Sequence, residues 1–299
     1  MIGIWASFAL ERAARCLCVI AVLLLAGCGI KQVRPLDAPR PAYPFRAQGP
    51  KSSHWAKADS LWAWRVDPKS ARLSLIEYRK AIREQKKVPE LYARLAHACY
   101  FVASYHEINV RVRDRLFREG QAAAEAGMKL HPAYRAVYRE TGDEVEAAKE
   151  LDSSFVELLY WYVVNLGREL NRASINVRRG NRARLESLNE CLMRLDPSFY
   201  YAGPHRIAGV IPARLPEGDL KASKTHFESA IALAPLYLAN RVAYADYYAV
   251  RARDKRTFLA QLALVASIRA DTVPEIAPEN RLAQKWAKML LANTETLFP

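Results

Sequence analysis

The sequence predicts an all-α protein of stacked antiparallel helix pairs, and three observations lead there. Apolar residues recur at three- and four-residue spacing along most of the chain beyond residue 70, as in Leu73, Ile76, Ala81 and Ile82. No run of alternating β-branched residues is long enough for a sheet strand. Glycine is sparse, 12 in 299 residues, and a sheet-rich fold with many tight turns would need more.

The N-terminal segment reads as an address rather than as fold. Arg12 and Arg15 precede an uninterrupted apolar run over 16–26. That run has about eleven residues where a bilayer span needs about 20, so it matches a signal-peptide core. It closes on Leu25-Ala26-Gly27-Cys28, a lipobox pattern in which Cys28 is acylated and becomes the first mature residue. Gly29 follows where aspartate would retain the protein at the inner membrane. The expected location is therefore the periplasmic face of a Gram-negative outer membrane. Residues 1–27 are read as signal peptide, and 28–53 as lipidated Cys28 plus a tether carrying Pro35, Pro39, Pro41, Pro44 and Pro50. At about 3.1 Å per residue such a tether reaches roughly 60–70 Å from the membrane. Residues 54–299 are the all-helical domain.

Within that domain the spacing predicts helices over 70–84, 89–104, 108–130, 134–150, 153–171, 180–195 and 198–213. Four more follow over 219–234, 238–251, 255–269 and 279–293. Several stretches end alike, at Pro89, Pro132, Pro197 and Pro235, each behind an amphipathic run. Proline stops a helix because it lacks the N–H donor and clashes with the preceding turn. Helix pairs punctuated in this way suggest degenerate tetratricopeptide-like repeats. The unit with Ser223, Phe227, Ala230 and Pro235, continued by Ala245 and Tyr248, fits best. An α-solenoid of such pairs leaves a concave face, or a central cavity or pore.

Charge narrows the partners. Lysine and arginine outnumber aspartate and glutamate 45 to 31, a net charge of +14. Such a surface suits nucleic acid, anionic lipid or an acidic protein, and export removes nucleic acid. The runs Arg111/Arg113/Arg115/Arg118, Arg178/Arg179/Arg182/Arg184 and Arg251/Arg253/Lys255/Arg256 are solvated faces or docking surfaces. Of the cysteines left after processing, Cys99 and Cys191 read as two separate buried thiols. The six histidines show no metal-ligand spacing, and no nucleophile elbow or phosphate loop occurs. We therefore expect no catalytic residues, no metal and no cofactor.

The aromatic clusters Tyr160-Trp161-Tyr162 and Tyr200-Tyr201 admit two readings. They pack helices together, or some of them wall a ligand cavity together with Asn165, His205 and Arg206. In the second reading the arginine fork suits a carboxylate; Arg206 is equally placed to cap the helix face or to pair with an acid.

Longer motifs carry a resemblance. Leu158-Leu-Tyr-Trp-Tyr-Val-Val-Asn-Leu-Gly-Arg168, Leu195-Asp-Pro-Ser-Phe-Tyr-Tyr-Ala-Gly-Pro-His-Arg206 and Leu215-Pro-Glu-Gly-Asp-Leu220 are among them. Lys224-Thr-His-Phe-Glu-Ser-Ala-Ile231, Tyr244-Ala-Asp-Tyr-Tyr-Ala249 and the closing Leu282-Ala-Gln-Lys-Trp-Ala-Lys-Met-Leu-Leu291 continue the series. Together they resemble the T-component (TatT) family of TRAP transporter lipoproteins over roughly residues 70–298. Glu217-Gly218 departs from the paired glycines common there. The resemblance implies a periplasm-facing helical-repeat lipoprotein that binds the P-type solute-binding subunit of a TRAP uptake system. It also implies an internal cavity for an apolar or organic-acid ligand. Membrane contact would be through the lipid anchor only, and a homo-oligomer is compatible with the reading. The rival expectation is a scaffold lipoprotein for outer-membrane or cell-wall assembly.

Overall fold

A computed structural model describes residues 50–299; the leader, Cys28 and the tether up to residue 49 lie outside the described residues. Among the described residues there is no strand, and the fold is all-α. The helices are α1 (Ser53–Ala63), α2 (Pro68–Glu84), α3 (Pro89–Tyr105), α4 (Val110–Met128) and α5 (Pro132–Thr141). Then come α6 (Glu144–Lys149), α7 (Val156–Leu170), α8 (Ile175–Gly180), α9 (Arg182–Leu195) and α10 (Phe199–Ala213). The last five are α11 (Leu220–Leu233), α12 (Leu238–Ala243), α13 (Lys255–Ser267), α14 (Ala277–Ala292) and α15 (Thr294–Leu297).

Capping chemistry sets these boundaries. Asp67, Asn109, Asp143, Asp219 and Asp254 each accept a hydrogen bond from a backbone N–H in the first turn of the helix that follows. Pro68, Pro89 and Pro132 occupy the first helical position, where the missing N–H costs nothing. The prolines at 89 and 132 thus start helices as well as ending the preceding ones.

Four local features differ from the predicted elements. Helix α1 was absent from them, although Trp55, Ala58 and Trp62 form a buried stripe on it. The single helix expected over 134–150 is two, because Gly142 adopts a left-handed conformation (φ 67°) that ends α5 before Asp143 caps α6. The helix expected over 238–251 widens into a π-turn at Tyr244–Ala249. The start of α10 is left-handed at Tyr200, Tyr201 and Ala202 (φ 45–60°).

Helix α7 is the hub. It packs against α3, α4, α9 and α10. All eight residues from Val156 to Val163 are buried, Glu157 among them. A helix apolar all round belongs inside a protein, and its sequence Val-Glu-Leu-Leu-Tyr-Trp-Tyr-Val is of that kind. The large core around it contains Trp55, Tyr78, Leu91, Phe101, Leu158 and Trp161. A smaller one joins α12, α13 and α14 through Leu238, Phe258, Leu262 and Ala283. Cys99 and Cys191 are both buried free thiols.

One buried ion pair ties early chain to late chain. Arg65, just after α1, grips Glu279 of α14 with two parallel bonds, Nε to Oε1 at 2.9 Å and Nη2 to Oε2 at 2.8 Å. Its Nη2 also donates to the Glu275 carbonyl at 2.8 Å.

Candidate ligand-binding site

The facing stripes of α7 and α10 wall a cavity of about 140 Å³. One water needs about 10–15 Å³ measured in this way, so the space suits a small organic molecule. Helix α7 contributes Tyr160, Val163, Val164, Gly167 and Arg168, with Asn171 just beyond it. These positions are i, i+3, i+4, i+7, i+8 and i+11, one face of a helix. Helix α10 contributes Tyr200, Arg206, Ile207, Val210 and Ile211, with Arg214 after it. Tyr100 and Tyr105 of α3, Tyr237, Tyr247 and Trp286 close the aromatic wall. Arg178, Arg182 and Leu185 of α8 and α9 stand at another edge, and the Arg182 side chain is 37% exposed there.

The two main helices approach closely for local reasons. A β-carbon at Gly203 would lie 2.3 Å from Cε2 of Tyr160, so only glycine lets the chain pass there. The left-handed run just before it costs roughly 1–2 kcal/mol per residue. Its packing offsets that strain: Tyr200 sits among Trp161, Tyr160 and Phe199, and Tyr201 stacks on Tyr237 at 4.8 Å. Because right-handed helix resumes only after Ala202, Pro204 falls in its first turn and breaks no ladder.

Five arginines line the cavity, and no aspartate or glutamate does. Arg206 donates from Nη1 to Asn240 Oδ1 and from Nη2 to the Tyr160 hydroxyl, both at 2.6 Å, and lies over the Tyr237 ring at 5.0 Å. Arg168 donates from Nη2 to the Tyr100 hydroxyl at 3.2 Å and from Nη1 to that of Tyr247 at 3.4 Å. It also faces the Trp286 ring at 5.7 Å. Among the described residues neither arginine has a carboxylate within ion-pair distance. Burial opposes both charges, yet the surrounding tyrosines leave both guanidiniums titrating above the ordinary arginine value. Burial pushes the Tyr160 phenol up to about 12. Asp246 feels the charges of Arg168 and Arg214, but burial outweighs them and raises its carboxyl above the usual range.

Seven side chains were expected at a ligand site, and the structure distributes them over two zones. Tyr160, Tyr200 and Arg206 line the cavity. Trp161 lies behind them, stacked on the His97 ring at 3.8 Å, and His97 in turn meets the Tyr200 hydroxyl at 3.1 Å. Asn165 bridges α7 to α3 by donating to the Ala96 carbonyl, against Gly120. Tyr201 supports Tyr237, and His205 pairs with His226 across α10 and α11 at 3.2 Å. Sequence reasoning missed Arg168, although it lies eight residues beyond Tyr160 and so on the same helical face. It also set Arg178 and Arg182 on a solvated or docking face, whereas both line the cavity. Tyr100, Tyr237, Tyr247 and Trp286 come from helices distant in sequence and gave no local signal.

Among curated proteins no sequence matches the chain. A family model described as TRAP transporter T-component matches residues 104–298, which takes in both α7 and α10. Because that match spans more than half of the chain, the protein belongs to the TRAP transporter T-component family.

Proposed function

We propose that this protein is a periplasm-facing accessory lipoprotein of a TRAP-type uptake system. In this reading acylated Cys28 anchors it to the outer membrane, and residues 28–53 tether the helical domain. The domain binds the P-type solute-binding subunit and holds a small apolar or organic-acid solute between α7 and α10. Family membership makes it a component of the transport system. The observation that carries the ligand role is the cavity itself, walled by aromatic and aliphatic side chains together with five arginines. Contacts between successive helices along the chain support the repeat-like stacking read from the prolines.

The test is an affinity pull-down of the acylated protein from crosslinked cells, with partners identified by mass spectrometry. Recovery of a P-type solute-binding protein is the expected result. Recovery of barrel-assembly proteins or peptidoglycan enzymes instead would overturn it in favour of an envelope scaffold.

A further inference from the structure

We infer that His205 of α10 and His226 of α11 together bind one divalent transition-metal ion, with Cu2+ held more tightly than Zn2+ or Ni2+. The two lie 21 positions apart, so no local spacing announces them, and the pairing of α10 with α11 brings the rings together. Their Nδ1 atoms are 3.2 Å apart. Two nitrogens bound at about 2.0–2.1 Å in a tetrahedral site stand about 3.3 Å from each other, so the spacing already matches one edge of such a site. Among the described residues neither ring has a carboxylate within ion-pair distance, unlike His54 and His131. In the hydrogen-bonded pair one ring carries its hydrogen on Nδ1 and the other presents a lone pair there. A metal ion takes the place of that hydrogen. Two metal–nitrogen bonds form, two waters leave the hydrated ion, and both neutral rings then carry their hydrogen on Nε2, with no net release of protons.

The backbone beneath the pair is held firmly. Gly209, one turn on from His205, packs so close to Phe227 that a β-carbon would lie 2.9 Å from its ring. Ser223 Oγ donates to the Gly209 carbonyl at 2.7 Å. These contacts fix the separation of the two helices beside the pair, so chelation orders little beyond the rings themselves. Ala208, Gly209, Ala222 and Ala230 stand one turn from the histidines along their helices, and their small size leaves room for an ion with its waters. Both rings are half-buried, which keeps the site within reach of solvent. Among the described residues no group of three histidine, cysteine, aspartate or glutamate side chains could hold a metal. The protein therefore supplies two donors and water the rest, an open site rather than a closed structural one. Imidazole donors favour Cu2+ over Ni2+ and Zn2+, whereas Mg2+ and Ca2+ require oxygen ligands.

The experiment is isothermal titration calorimetry of Cu2+, Zn2+ and Mg2+ into the full-length protein in non-ionic detergent, with empty micelles subtracted and a buffer that binds no metal. One equivalent of Cu2+ should bind, Zn2+ more weakly, and Mg2+ not at all. Losing a hydrogen bond that merely supports a metal ligand costs about ten- to a hundredfold in affinity. His205→Gln and His226→Gln each remove one of two protein donors, so each should weaken Cu2+ by about a hundredfold or more. A protein with no saturable Cu2+ site would overturn the inference, as would a site that Mg2+ fills equally well. So would variants that keep their helical circular dichroism and bind Cu2+ as the parent does. Electron paramagnetic resonance of the parent with one equivalent of Cu2+ should show coupling to two imidazole nitrogens. Any other count would overturn the inference even if neither variant folds. No solute or partner protein enters these measurements, so their outcome and that of the pull-down are independent.

Discussion

Glu157 opens the first turn of α7 and is only 1% exposed. Burial outweighs the pull of Arg94 and, with Glu90 nearby, raises its carboxyl from the ordinary 4.5 to about 7. An acid whose folded value is raised binds its proton more firmly in the native state. Its contribution to stability is therefore complete below about pH 4.5 and is lost as pH rises toward 7. The size of that loss is about 3 kcal/mol, an order-of-magnitude figure. Glu157→Gln keeps the shape and removes the charge. We predict that it stabilises the protein by about 1–3 kcal/mol at pH 8 and by little at pH 4.5. Urea unfolding of both proteins at the two pH values checks this, and an equal difference at both would refute it. Gly203 sets a steric limit of the same local kind. Gly203→Ala should cost about 1–3 kcal/mol, since its methyl must displace the Tyr160 ring or part α10 from α7. The midpoint of thermal unfolding reads the loss, and no change in it would mean the two helices are not held as tightly as described.

At the scale of elements, Arg65 and Glu279 join the end of α1 to α14 through a bidentate bond away from water. Removing one partner strands the other charge. Arg65→Met should therefore destabilise the fold by about 3–5 kcal/mol, and the double variant Arg65→Met/Glu279→Leu should recover most of that. A double variant as unstable as the single would mean that packing, not charge, is what Arg65 supplies. This pairing across 214 positions was invisible in the sequence, where neither residue belongs to any motif. Helix periodicity was visible because it is local: apolar spacing located α2, α3, α4, α7, α9 to α11, α13 and α14 with small shifts at the ends. The conformations of Gly142 and of Tyr200 to Ala202 were not, although Gly142 followed by a capping aspartate is a recognisable helix break. Three consecutive left-handed residues that are not glycine have no propensity signal at all, because tertiary packing of the Tyr200 and Tyr201 rings holds the run in place. The cavity shows the same division. Tyr160, Tyr200 and Arg206 could be named from short aromatic motifs, whereas Arg168 acquires meaning only once Tyr100, Tyr247 and Trp286 surround it.

At the scale of the whole molecule, the proposed membrane attachment has two candidate forces behind it. One is the proposed acylation of Cys28, and the other is the net charge of +14 against anionic lipid. Among the described residues no helix is long and apolar enough to cross a bilayer. The two forces respond differently to salt. Electrostatic adsorption is screened, with a Debye length falling from about 10 Å at 0.1 M to about 3 Å at 1 M, while burial of acyl chains contributes about 0.8 kcal/mol per methylene whatever the ionic strength. On the proposed anchoring, the parent protein stays with membranes through a 1 M salt wash and enters the detergent phase on partitioning. Cys28→Ser should then be released to the aqueous phase, with unchanged helical circular dichroism, because Cys28 lies well before the first residue of α1. If Cys28→Ser instead pellets with membranes at low salt and leaves them at 1 M, charge is the anchor and the lipobox reading fails. If both proteins are soluble at every salt concentration, neither force suffices, and the transport role must be exercised in free solution.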